Sequence, residues 1–261
     1  MDNPDVIKIE LDTINAMKVY NLGDVLNTEG IVLHLIYENG NDEIIDISNA
    51  KIAVYHNDIE KLKSEITRFY PEEPETIAQK EIVDKFAVSI PMFNIGFKDN
   101  YVGIKGKELL RKEVVTEILL DMIFKRGSEV FEYLYMNGLI NDNFGTGFTS
   151  QIDYGYTLIG GESNNPREVK KIILDYIEKY KKEGLSETDF ERVKKKKMGQ
   201  FIKYFDSINF IANNFISYKF KDINILDYLE VIKEVQFEEI IDRLNNHLKE
   251  EFCVISIVEP K

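Results

Sequence analysis

Between Tyr70 and Thr76 the chain reads Pro71-Glu-Glu-Pro74-Glu75, and no regular element can run through that stretch. Proline lacks the amide hydrogen that a helix interior or a central strand requires, and the glutamates offer nothing to bury. The residues before the stretch must therefore fold apart from those after it. A boundary is expected there, giving an N-terminal segment over 1–75 and a larger domain over 76–261. Domains commonly run about 100–200 residues, so 261 residues accommodate this division.

The N-terminal segment reads as a hairpin followed by a strand and a helix. Two β-rich runs within 31–47 flank Glu38-Asn39-Gly40-Asn41, and Asn-Gly suits a type I′ turn. A short strand over 51–55 breaks at Asn57-Asp58, after which Ile59, Leu62, Ile66 and Phe69 recur at helical spacing.

In the larger domain, 86–97 is β-prone with Pro91 inside it, which predicts an edge strand or one bent at the proline. Gly103 and Gly106 mark a loop. Leu109, Leu110, Val114, Ile118, Leu119 and Ile123 then form the stripe of a core-facing helix over 107–124. Ser128 opens a second helix that Gly138 ends through a left-handed cap. The glycine- and aromatic-rich run 143–161 suits paired strands. Asn165, Pro166 and Glu168 predict a capped helix start, and Gly184 its end. Ser186 and Asp189 open the next helix, which runs to about 205, and 209–219 continues helically. A last helix over 237–250 and a strand over 252–258 close the chain. This order predicts an α+β fold, with helices packed on one face of a largely antiparallel sheet.

A net charge of -13 repels phosphate backbones and anionic headgroups, which argues against nucleic acid and membrane as partners. No run approaches the roughly 18 apolar residues of a membrane helix, and the N-terminus lacks a signal-peptide pattern, so a reducing cytoplasm is the expected location. The three histidines, His34, His56 and His247, are not spaced as zinc ligands, and metal ligation is not expected of this chain. Cys253, the one cysteine, sits in an apolar run that predicts a buried, inert thiol. Nothing resembles Gly-x-Ser-x-Gly, and Gly155 to Glu162 lacks the Lys-Ser/Thr end of a P-loop. Lys194 to Lys197 points all round a helix and reads as a solvated face. No catalytic residue emerges. Tyr154 and Tyr156 alternate along a strand and admit two readings: hydroxyls bonding a peptide backbone, or rings packing in a core, as strand aromatics more often do.

Met136-Asn-Gly-Leu-Ile140, Phe144 through Tyr154-Gly-Tyr156-Thr-Leu-Ile-Gly-Gly161, Gly184-Leu-Ser-Glu187 and Phe190-Glu-Arg-Val-Lys-Lys195 together resemble the pitrilysin/insulinase family of zinc peptidases. The resemblance is to the second, non-catalytic homologous half, and it spans 81–261. Ile95-Gly-Phe-Lys98 matches that half's opening strand, and 51–70 is similar to the end of a preceding half. The resemblance implies two halves closing around an unfolded peptide, with zinc held only by the partner half through an inverted His-x-x-Glu-His motif. It implies tentative substrate contact by Tyr154 and Tyr156. Where many family members carry an arginine seven residues before the tyrosine matched by Tyr156, this chain has Thr149. An acidic inner wall in such a chamber would draw basic peptides. The alternative implied is a stand-alone peptide-binding or scaffold protein that retains the fold without catalysis.

Overall fold

In the computed structural model, the described residues are strands β1 (Val6–Asp12), β2 (Val32–Tyr37) and β3 (Asp42–Asp46), together with residues 73–261. The chain divides into two compact units, Met1–Arg68 and Phe69–Lys261. In the first, β2 lies between β1 and β3 in an antiparallel sheet, with Val32 opposite Asp46 and Ile36 opposite Asp42. Strands β2 and β3 make the expected hairpin, while its turn, the strand over 51–55 and the helix over 59–69 lie outside the described residues. Strand β1 escaped the sequence reading, although Ile7, Ile9 and Leu11 alternate with Lys8, Glu10 and Asp12 as a strand requires.

The second unit is built on a five-stranded sheet of order β4-β8-β5-β7-β6. Its strands are β4 (Glu81–Phe86), β5 (Met92–Lys98), β6 (Gly145–Ser150), β7 (Gly155–Glu162) and β8 (Cys253–Pro260). Only β4 and β8 run parallel; β8, β5, β7 and β6 pair antiparallel in turn. The expected strand around Pro91 is corrected here. Of the run 86–97 only 92–97 continues as strand, within β5, which is central rather than an edge and is not bent at Pro91, while β4 ends at Phe86. Pro91 stands one residue ahead of β5, so its missing N–H falls outside the ladder, while its carbonyl accepts from the Ser163 N–H at 2.9 Å.

Among the described residues the α-helices are α1 (Gly106–Phe124), α2 (Glu129–Met136), α3 (Pro166–Glu183), α4 (Glu187–Tyr204), α5 (Ile208–Lys219), α6 (Tyr228–Glu234) and α7 (Phe237–His247). Ser128 and Ser186 cap α2 and α4 by accepting from the N–H groups of Phe131 and Asp189. Gly138, at φ 65°, ends α2 in the left-handed region. The expected cap of α3 is not made: the Asn165 side chain forms no cap hydrogen bond, and its backbone N–H is taken by Ser163 Oγ at 3.0 Å. Helix α5 starts afresh from its own cap, Ser207, and α6 was not read from sequence at all. Helix α7 ends at His247, and a 3-10 turn, Glu250–Phe252, leads into β8.

Strand alternation explains the layering. Phe93, Ile95 and Phe97 of β5, Ile159 of β7, and Ile255 and Ile257 of β8 are buried with the α1 stripe Leu109, Leu110, Val114, Ile118, Leu119 and Ile123. Burying each such side chain contributes about 1.5–3 kcal/mol. The residues between them, Met92, Asn94, Tyr156, Leu158 and Ser256, are exposed on the opposite face. The α+β architecture with helices on one face is as expected.

Candidate functional site: an open sheet face above a buried charge cluster

Residues directly opposite in neighbouring strands share a face, so the register assembles the open surface row by row. One row is Thr149, Tyr156 and Lys98, and the next is Gly147, Leu158, Gly96 and Val254. Gly96 keeps the floor low, since a Cβ there would stand 3.0 Å from Val254 Cγ2. Residues 73–79 cross above one end of these rows. Lys98 Nζ holds Glu73 Oε2 at 2.8 Å, and Asn100 Nδ2 donates to the Glu75 carbonyl at 2.9 Å. The result is a groove of about 500 Å³ walled by Pro74, Ile77, Ala78, Ile82, Tyr156 and Leu158. Its charges, Glu73 and Lys98, are paired with each other, so the expected acidic wall is not found among the described residues lining it.

Tyr156 is 37% exposed and its ring stacks on that of Tyr154, with centroids 6.4 Å apart and planes 10° apart. Both tyrosines therefore lie together at the rim of the open face, and the core-packing reading does not hold for either. Tyr154 stands just ahead of β7, where its carbonyl accepts from the Gln151 N–H at 2.7 Å and closes the β6–β7 turn.

Beneath Tyr156, alternation turns Thr157 toward the helices, where its hydroxyl meets His247 Nε2 at 2.7 Å. His247 belongs to a buried cluster with Asp99, Lys112 and Arg243. Arg243 donates to both Asp99 oxygens at 3.0 and 2.9 Å and to Thr116 Oγ1 at 2.8 Å. Lys112 Nζ lies 3.2 Å from Asp99 and donates to the Tyr101 carbonyl at 2.7 Å. Phe148 of β6 packs against the cluster, its ring facing the Arg243 guanidinium and edge-on to the imidazole. Burial acts most strongly on Asp99 and would raise it, but the Arg243 bonds and charge, with His247 and Lys112, hold its carboxyl at about 2. Burial, then Arg243, takes His247 down to about 3, so the ring is neutral. Its Nδ1 has no hydrogen-bond partner and stands 3.7 Å from Asp99 Oδ1, which favours the proton on Nδ1 and the Thr157 hydroxyl as donor.

Sequence reasoning missed this cluster. A signal existed: Lys112 interrupts the apolar stripe of α1, while Arg243 and His247 share the spacing of Ile240 and Leu244 along α7. A charge on a core-facing helical sector demands a buried partner.

The donors do not fit zinc. No group of three or more His, Cys, Asp or Glu among the described residues could hold a metal ion. His247 Nε2 is engaged by Thr157, and burial pushes the Cys253 thiol up to about 11, far from a thiolate ligand. His56 lies outside the described residues, and His34 is placed only by its strand backbone. No helix of the described residues is long and apolar enough to cross a membrane.

The family described as the peptidase M16 inactive domain matches residues 41–197. The uncharacterized zinc protease YmfH of Bacillus subtilis (strain 168) is 29% identical over 197 residues, covering 76% of this chain and 46% of that protein. Among solved structures, a putative M16-like peptidase from Alicyclobacillus acidocaldarius is similar with a TM-score of 0.70 and 27% identity, over 78% of this chain and 50% of that one. A peptidase M16 inactive domain from Pseudomonas fluorescens shares the fold, with a TM-score of 0.56 and 17% identity over 74% of this chain and 46% of its own. The chain spans about half the length of the Bacillus subtilis and Alicyclobacillus acidocaldarius relatives.

Proposed function

The chain belongs to the peptidase M16 inactive domain family, and from that premise we propose that it is the non-catalytic, substrate-enclosing half of a zinc metallopeptidase. It encloses an unfolded peptide against its open sheet face, and a zinc-bearing homologous half or subunit performs the hydrolysis. In this reading residues 1–75 are the tail of a preceding half and 76–261 are the enclosing domain.

The observation that carries the reading is that, among the described residues, only 73–79 cross this face, and only at one end. A soluble domain normally covers both faces of such a sheet or makes the outer one polar. This one leaves Tyr156, Leu158, Met92 and Ile82 exposed beside a neutral groove. Such a surface gives an extended peptide apolar contact, and the Tyr156 hydroxyl offers a hydrogen bond to its backbone. With no zinc-fitting donors among the described residues, this chain's own part is to bind, orient and exclude water.

The test is reconstitution with a homologous half that carries the His-x-x-Glu-His motif, followed by cleavage of a fluorogenic unfolded peptide. Hydrolysis is expected only from the mixture. Tyr156→Phe should leave the chain's melting midpoint in place and slow the mixture about tenfold, the effect of losing one transition-state hydrogen bond of about 1.4 kcal/mol. A zinc-bearing half that works equally well alone would overturn the enclosing role. Unchanged turnover with Tyr156→Phe would remove that residue from the substrate.

A further inference from the structure

Asp99 directly follows β5, and at this residue the buried cluster meets both sides of the groove. On one side stand the tyrosines. The Asp99 N–H donates to the Gly155 carbonyl at 2.9 Å, between Tyr154 and Tyr156. A Cβ on Gly155 would stand 3.1 Å from Asp99 Oδ2 and 3.3 Å from the Thr149 carbonyl, so glycine at this position lets the carboxylate pack directly against the strand. The loop after Asp99 takes a second hold on the same turn, because the Gly103 N–H donates to the Ile152 carbonyl at 2.6 Å. That loop is tied back to the cluster in turn: Asp99 Oδ1 accepts from the Tyr101 N–H at 3.2 Å, and the Tyr101 carbonyl accepts from Lys112. On the other side stands the segment 73–79, held by Lys98 and Asn100, the two residues that flank Asp99 in the chain.

The carboxylate has no freedom to swing. The Arg243 guanidinium holds both of its oxygens in one plane, and Arg243 is itself anchored on Thr116 of α1. Removing such charges from water costs about as much as their attraction returns, so a buried cluster of this kind adds little net stability. What it supplies is a fixed geometry, and the contacts of Asp99 carry that geometry to both lips of the groove.

We propose that Asp99, locked by Arg243, is a positioning residue for the open face. It sets the Tyr154 and Tyr156 pair and the 73–79 segment at the separation that admits an extended peptide. The peptide rests on the function proposed above; the positioning of the two lips does not. Asp99 touches no substrate in this scheme and acts through Tyr156 on one side and Lys98 on the other.

Asp99→Asn would leave two buried cations, Lys112 and Arg243, without their acid, a loss that can unfold a marginally stable domain. The test therefore uses Arg243→Lys, which keeps the charge and gives up the fork. Thr116→Val, which removes only the hydroxyl that anchors Arg243, is the milder second variant. In the isolated chain with isotope-labelled tyrosine rings, followed by NMR, Tyr154→Phe and Tyr156→Phe identify the two signals. Arg243→Lys is expected to shift or broaden both while Tyr176 and Tyr180 of α3 stay in place, and Thr116→Val to do the same to a smaller extent. In the mixture with the zinc-bearing half, Arg243→Lys is expected to lower kcat/KM about tenfold, as misplacing a substrate-contacting group does. Combined with Tyr156→Phe, the loss should fall well short of the about hundredfold that two independent tenfold effects would give. Ring signals that stay in place in both variants would overturn the positioning and leave the proposed function standing. Rings that move with no loss of turnover, or with losses that multiply in full, would overturn it too. If the wild-type mixture hydrolyses nothing, the proposed function fails, and the ring signals alone decide the positioning.

Discussion

His247 sits in the interior as a neutral ring, and that has a cost in acid. Unfolded, the imidazole protonates near 6.5; folded, burial and Arg243 take it down to about 3. Between those values the unfolded chain binds the extra proton. Stability is therefore complete above pH 6.5 and falls as pH drops, by up to about 1.4 kcal/mol per unit. Asp99 adds a loss of the same sign at lower pH, from 3.8 toward about 2. His247→Gln removes the first titration and keeps an acceptor for Thr157. Its urea midpoint is expected to stay nearly level between pH 6.5 and 5, where the wild type declines; parallel declines would show that another group is responsible. The cluster was only half legible in the sequence. Lys112, Arg243 and His247 each interrupt an apolar helical sector, but Asp99 stands 144 positions from Arg243, and no local pattern joins them. Tyr156 was legible in the opposite sense. Alternation identified the strand, but either face satisfies alternation, and only the register opposite Lys98 and Thr149 places the ring on the open side.

Elements were readable where their ends are written in local chemistry. Ser128 and Ser186 each accept from the N–H three residues on, at 3.3 and 3.2 Å, whereas Ser207, which caps α5 the same way at 3.2 Å, went unread because 209–219 was taken to continue the preceding helix. Asn165 looked equivalent, yet the preceding Ser163 takes its N–H and no cap bond forms from its own side chain. The two positions therefore part on substitution. Ser186→Ala is expected to destabilise the chain by about 1 kcal/mol, and Asn165→Ala by a few tenths at most. Equilibrium unfolding in urea distinguishes them, and equal losses would mean that Asn165 caps α3 in solution. Whatever depends on distant pairing was not readable. The central position of β5 comes from β8, which arrives more than 150 residues later in the sequence and inserts between β4 and β5. Helix α6 was missed because its 7 residues span too few turns for periodicity to stand out, although Val231 and Ile232 are buried in the core.

At the scale of the whole molecule, the α+β class was legible because element order alone separates it from alternating α/β topologies. Charge was not: the balance of -13 says nothing about which face carries it, and the charges lining the open groove, Glu73 and Lys98, cancel. The chemistry that a chain lacks makes an equally physical prediction. A zinc site that contributed to folding would lower stability when the metal is stripped, because metal affinity is then part of the folding free energy. Among the described residues no set of ligands is clustered to provide that linkage. The isolated chain is therefore expected to hold no stoichiometric zinc after mild dialysis, and its melting midpoint should be the same with and without EDTA. In the complex proposed above, the same chelator should abolish peptide hydrolysis and leave this chain folded. Tightly held zinc at about one equivalent per isolated chain, by elemental analysis, or a midpoint that falls with EDTA, would place a metal site within this chain and overturn the division of labour between the two halves.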